Sequence, residues 1–359
     1  MTYHAMTTSN NYASPPRVLL VEDSALELAV IQKILKDGGI EVVGTATNGV
    51  EALALIPQLD PDVICTDFHM PMMDGLELTK QVMTQFPRPI LVLSISAQPN
   101  QMRNIMKIFQ AGALDVMAKP LLKSGGINQI DPQLLVDKVR ILSGVNVLAN
   151  KHKPLKNSVS KCQERNDKVM LAKMIAIGSS TGGPQALLQL LGNLPENFAI
   201  PIVCVQHISK GFLCGMVEWL DDSSHLQIVV AEAGMVPHAG YVYFAPEGRH
   251  LVFDQDGRFK LIEAQPNDFH LPSADQLFMS MAKVFGPRCV GVVLSGMGSD
   301  GAHGIVSIFE KNGLTIAQDQ GSSVIFGMPK AAIDTGAIKK VLSLQAISDE
   351  LMVLHAQFA

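Results

Sequence analysis

Met174-Ile175-Ala176-Ile177-Gly178-Ser179-Ser180-Thr181-Gly182-Gly183 is the stretch that decides the fold. A short, unbroken apolar run reads as a strand buried on both faces. The glycines behind it permit a sharp turn. Pro184 then opens the helix PQALLQLLGNL, where a fixed φ is an advantage. A second apolar run, PIVCVQ (201–206), follows that helix. Strand, glycine turn, helix and strand make a parallel unit, so the reading is α/β.

The same rhythm extends both ways. Towards the C-terminus it gives helix GFLCGMVEWL, helix SADQLFMSMAKVF, strand CVGVVLS, helix GAHGIVSIFEKN, strand LTIAQD and helix PKAAIDTG. HLQIVVAEA, YVYFAP and HLVFDQDGRFKLI read as short strands, and Asp256-Gly257 marks a β-hairpin. Towards the N-terminus, VLLV (18–21), EVVGTA (41–46), DVICTD (62–67), ILVLS (90–94) and DVMA (115–118) alternate with five amphipathic helices. Ser24 caps the first of these and Gly38-Gly39 ends it. Residues 149–169 are polar and basic and read as a linker. The expected division is a tail over 1–16, a five-stranded domain over 17–148, the linker, and a larger Rossmann-like three-layer domain over 170–359. Both domains are doubly wound parallel sheets.

Bulk properties exclude several function classes. The chain has 359 residues, 47% apolar and 17% charged, with a net charge of −5. That is room for roughly two domains. There is no basic field to hold nucleic acid. No uncharged apolar run reaches the ~18 residues a membrane span needs. The N-terminus lacks the pattern of a signal peptide. The five cysteines include no CxxC pair. A cytoplasmic protein is expected.

Two sets of polar residues stand just past the apolar runs, where an open parallel sheet presents its ligands. In the first half these are Glu22-Asp23, Asp67, Ser94 and Lys119-Pro120. Clustered carboxylates repel, and a divalent cation such as Mg²⁺ relieves that repulsion. Lys119 offers a point charge to a phosphoryl group, and Ser94 a hydroxyl. In the second half, Gly178-Ser179-Ser180-Thr181-Gly182 has the G-x-S-x-G form that exposes a serine between strand and helix. His207 ends the next strand and can serve as its base. Asp300, after CVGVVLS, can orient the imidazole. Each motif also has a plainer reading. GSSTGG can be an anion-binding loop, His207 a satisfied structural histidine, and Asp300-Gly301 a turn.

Residues 17–145 resemble the receiver domain of response regulators, through VLLVEDS, D67-x-x-MP-x-MDG, Ser94 and Lys119-Pro120. The resemblance implies that Asp67 is the phosphoacceptor. It implies Mg²⁺ ligation by Asp23, Asp67 and the His69 main-chain carbonyl, with Glu22 assisting. Val116 stands where receivers often carry an aromatic switch residue. Residues 172–355 resemble the chemotaxis protein-glutamate methylesterase domain, through AIGSSTGG, QHISKGF, GYVYFAPEGRH, VGVVLSGMGSDGA and TIAQDQ…VIFGMPKAA. This implies Ser180 as nucleophile, His207 as base and Asp300 as acid. Thr181 and Met297 would flank the site, with the Met297 N–H as an oxyanion donor.

The resemblance further implies a phosphorylation-activated serine hydrolase acting on chemoreceptor glutamyl methyl esters and glutamines. A histidine kinase would be the phosphodonor, and ester hydrolysis would need no cofactor. Ser179, Cys214, Trp219 and Leu271 depart from the family pattern around the cleft. His238, His250, His270 and His303 read as structural or exposed. The competing expectations are a response regulator whose second domain only binds an anion or a protein, and an esterase outside chemotaxis.

Overall fold

The computed structural model describes residues 14–94, 99–120, 122–123, 126–127, 132–147, 171–266 and 268–358. The linker over 149–169 and nearly all of the tail fall outside these. Two compact units emerge, residues 1–93 with 119–145, and residues 94–118 with 146–359.

The first sheet is built from β1 (Arg17–Val21), β2 (Glu41–Ala46), β3 (Val63–Asp67), β4 (Ile90–Ser94) and β5 (Asp115–Ala118). Its strand order is β2-β1-β3-β4-β5. The helices between are α1 (Ala25–Asp37), α2 (Gly49–Leu59), α3 (Gly75–Gln85) and α4 (Pro99–Ala111). The small antiparallel pair β6 (Leu122–Lys123) and β7 (Gly126–Ile127) precedes α5 (Pro132–Ser143). Every residue of β3 and β4 is buried, as apolar runs in a covered parallel sheet require. Three helix starts are side-chain capped: Ser24, Asn48 and Asp74 accept from the N–H groups of Glu27, Glu51 and Glu77.

The second sheet has seven parallel strands in the order β10-β11-β9-β8-β14-β15-β16. In chain order the elements are β8 (Met174–Ser179), α6 (Gly183–Gly192), β9 (Ile202–Gln206), α7 (Leu213–Asp221), β10 (Gln227–Val230), β11 (Tyr241–Phe244), β12 (Arg249–Phe253), β13 (Phe259–Glu263), α8 (Ala274–Phe285), β14 (Cys289–Val293), α9 (Ala302–Glu310), β15 (Leu314–Gln318), α10 (Met328–Asp334), β16 (Lys340–Leu342) and α11 (Leu344–Ala356). The expected hairpin is β12–β13, turning at Gly257 with φ +79°. HLQIVVAEA and YVYFAP supply β10 and β11, which extend the main parallel sheet. The sequence pattern stops at α10, and the structure adds β16 and α11. The β16 strand is only three residues long and alternates half-buried with exposed, too little for a period to register.

Helix α8 connects the core of this unit to the strand ends. Phe278, Leu277 and Met281 are fully buried in a cluster with Ala176, Val293, Ile305 and Met328. Phe278→Ala leaves a large void there, and a cost of about 3–5 kcal/mol is expected. The measurement is the denaturant midpoint followed by the fluorescence of Trp219, the chain's single tryptophan. An unchanged midpoint would contradict this packing.

Candidate functional site

Register sets the second site. Ser179 lies opposite Gln206, and Gly178 opposite Val293. The residues just past three central strands therefore meet at one edge. The Ser180 N–H donates to Ser295 O at 3.0 Å, and the His207 N–H to Ser179 O at 2.9 Å. Buried polar side chains brace the turn. Gln206 Nε2 donates to Ser180 O and His207 O, each at 2.8 Å. Ser179 Oγ donates to Gln206 Oε1 at 2.7 Å, and Ser295 Oγ to Thr181 O at 2.8 Å. Ser179 thus helps fix the turn. Gly182 has φ +78°, and a Cβ there would stand 2.5 Å from Val324 Cβ. Only glycine fits.

Asp300 is 4% exposed and joins His207 Nε2 at 2.8 Å. The start of α8 meets the same carboxylate. Ala274 N–H donates at 2.6 Å, Asp275 N–H at 3.0 Å and Ser273 Oγ at 2.8 Å. Burial alone would raise its pKa. The His207 contact and these helix amides overcome that and hold it well below the carboxylate range. No hydrogen bond joins Ser180 Oγ to the His207 ring among the described residues. With Nε2 engaged by Asp300, Nδ1 is the ring nitrogen left for a serine. The Met297 N–H likewise has no hydrogen-bond acceptor among the described residues. Its neighbour Gly296 is tied down on both sides, donating to Ile325 O and accepting from Gly327 and Met328.

One contributor here, Ser273, went unread in the sequence, and another, His270, was read only as structural or exposed. His270 is exposed and stacks on His207, with ring centres 4.8 Å apart and planes at 7°. Its pKa is lowered, by desolvation first and by His207 second. Ser273 caps α8 and holds Asp300 as well, and its S-x-x-Q start was the available signal. His250 is structural as expected. It is buried and bonds Asp268 at 2.8 Å, within the segment leading to His270. Trp219 is buried too, so it presents no open docking surface, whereas Cys214 is exposed.

The first site gathers the acidic set. Carboxylate oxygens of Glu22, Asp23 and Asp67 lie within 4.8 Å of one another. Asp67 is 6% exposed and Glu22 1%. Asp67 Oδ1 accepts from the Phe68 N–H at 2.6 Å. Ser94 is buried at the end of the neighbouring strand, and His69 is exposed in the loop after Asp67. Val116 is fully buried, so the expected switch position faces the interior. Lys119 Nζ reaches Glu22 Oε2 at 2.8 Å, Asp67 Oδ2 at 2.8 Å and, unforeseen in the sequence, Glu27 Oε2 at 2.6 Å. The Glu22 contact is an ion pair outside hydrogen-bond geometry. Burial pushes Glu22 up to about 7, against the pull of Lys119. Burial likewise raises Asp67. This crowded, all-oxygen set fits a hard divalent cation such as Mg²⁺.

Comparison with known proteins agrees with both halves. The response regulator receiver domain matches residues 18–131, and the CheB methylesterase family matches residues 175–351. The chain is 38% identical over 343 residues to the protein-glutamate methylesterase/protein-glutamine glutaminase 3 of Hahella chejuensis, covering 94% of this chain and 98% of that one. It is 38% identical over 322 residues to the corresponding enzyme 2 of Methanospirillum hungatei, covering 88% and 91%. The crystal structure of the Thermotoga maritima CheB methylesterase catalytic domain aligns at 37% identity and a TM-score of 0.49, over 51% of this chain and 98% of that one. The chain belongs to the family of protein-glutamate methylesterase/protein-glutamine glutaminases, hydrolases that carry a receiver domain. Among the described residues no helix is long and apolar enough to cross a membrane.

The depressed Asp300 pKa gives a pH test. A carboxylate whose folded pKa lies below its unfolded value stabilises fully above the unfolded pKa, near about 4. That contribution fades as pH falls towards the folded value. Asp300→Asn should therefore be less stable than wild type at neutral pH, with the gap narrowing as pH drops below about 4. Urea midpoints of both proteins across that range measure it, and a pH-independent gap would refute it.

Proposed function

We propose that the chain hydrolyses glutamyl methyl esters on chemoreceptors, releasing methanol, and deamidates receptor glutamines, and that phosphorylation of Asp67 raises this activity. The working division is a receiver domain over 17–148, a linker over 149–169 and a catalytic domain over 170–359. The observation that carries the reading is the His207–Asp300 pair, locked by the start of α8 beside the Ser180 turn.

In the proposed reaction Ser180 Oγ attacks the ester carbonyl carbon while His207 Nδ1 takes its proton. Asp300 stays ionised and stabilises the imidazolium. The Met297 N–H donates to the oxyanion. The tetrahedral intermediate expels the alkoxide, which leaves as methanol with the proton from His207. Water, deprotonated by His207, then attacks the acyl-serine and frees the glutamate. With glutamine the leaving group is ammonia. His270, stacked on His207, limits rotation of the ring. Ester hydrolysis on this route uses protein groups and water.

At the first site Asp67 is the proposed phosphoacceptor, and Ser94 and Lys119 hold phosphoryl oxygens. Mg²⁺, held by Glu22, Asp23, Asp67 and the His69 carbonyl, would neutralise the charge of the phosphoryl donor. The partners are methyl-accepting receptors and a histidine kinase, and the site of action is cytoplasmic.

Methanol release from radiomethylated receptor membranes tests both sites. Wild type should release methanol and respond to a small phosphodonor with Mg²⁺. Ser180→Ala should lose activity by at least about a thousandfold. Asp67→Asn should keep basal release and lose the response. If Asp67 is phosphorylated while wild type releases nothing, the esterase reading fails and a binding domain replaces it.

A further inference from the structure

We propose that Glu27 is a displaceable occupant of Lys119 and acts as a brake on phosphoryl acceptance at Asp67. The inference rests on the reading of Asp67 as phosphoacceptor and adds a positioning residue to that site.

An ammonium has three N–H donors and no acceptor. Lys119 already faces three carboxylates, Glu22, Asp67 and Glu27. Its side chain is only 2% exposed, so it has almost no contact with solvent. Its contact with Glu22 is an ion pair without hydrogen-bond geometry. Glu27 instead accepts a Lys119 hydrogen bond at 2.6 Å, so a phosphoryl oxygen approaching Lys119 competes with Glu27 for that donor. Asp67 carries the group and stays. Glu22 is 1% exposed and has no aqueous position to move into. Glu27 is 21% exposed, on the first turn of α1. It alone can swing into water at small cost, because a charge returned to solvent regains its hydration. Its contact with Lys119 is nonetheless the shortest of the three, at 2.6 Å. The resting site therefore holds its key cation on the wrong partner.

Charge adds to the effect. Glu22, Glu27 and Asp67 contact Lys119, and Asp23 lies in the same acidic cluster with Glu22 and Asp67, so carboxylates outnumber the one cation. A phosphodonor is itself an anion. Removing the Glu27 charge both frees a Lys119 donor and lowers the repulsion the donor meets.

In the step itself an Asp67 oxygen attacks the phosphorus of an acyl phosphate. The bond from phosphorus to Asp67 forms, the bond from phosphorus to the acyl oxygen breaks, and the carboxylate leaves with the electron pair. No oxidant or further reactant is needed.

The test uses the full chain, Mg²⁺ and acetyl phosphate, with phosphorylation followed by intact mass and Asp67→Asn as the blank. Glu27→Gln and Glu27→Ala are expected to speed phosphorylation roughly five- to twentyfold. Glu27→Asp, which restores the charge, should return the rate towards wild type. Beryllofluoride with Mg²⁺, titrated by ¹⁹F NMR, should bind Glu27→Gln more tightly by a similar factor, a readout independent of turnover. If wild type is phosphorylated at Asp67 but Glu27→Gln is no faster, or slower, the brake is refuted and Glu27 merely steadies Lys119. If wild type gains no phosphoryl above the Asp67→Asn blank, the phosphoacceptor reading itself fails and the brake falls with it.

Discussion

A carboxylate withdrawn from water costs several kcal/mol unless donors replace the lost hydration, and the second unit is organised around meeting that condition at Asp300. Five donors converge on it: Ser273 Oγ, the N–H groups of Ala274, Asp275 and Gly301, and His207 Nε2. For the helix amides to be there, α8 must start where β14 ends. For His207 to be there, β9 must lie beside β8. Phe278 and its neighbours hold α8 at that height. The packing of the core and the ionisation of one side chain are thus one constraint.

The first unit solves the opposite problem, a buried cation. Lys119 is surrounded by carboxylates just past β1, on α1 and at the end of β3. The two solutions differ in kind. Asp300 is held mostly by backbone amides, which cannot move without unwinding a helix, and so its geometry is preorganised. Lys119 is held by side chains, one of them on an accessible helix turn, and so its partners can exchange. A rigid site suits covalent chemistry repeated many times, and an exchangeable one suits a signal that comes and goes.

Both α/β domains were legible in the chain because buried parallel strands leave unbroken apolar runs, and VICTD, ILVLS and IVCVQ each proved buried at every residue. Glu22, Asp23, Asp67, Ser180, His207 and Asp300 were legible for the same reason, since each stands at the end of such a run or in the loop that follows it. The sequence alone therefore determined the fold class and the candidate groups, through local periodicity and position. What it did not contain were pairings between side chains far apart in the chain. Glu27 meets Lys119 across 92 residues, Ser273 meets Asp300 across 27, and His270 lies flat on His207. These depend on strand order and helix height, which long-range packing sets. Only the tertiary structure could decide which polar groups compensate the buried charges.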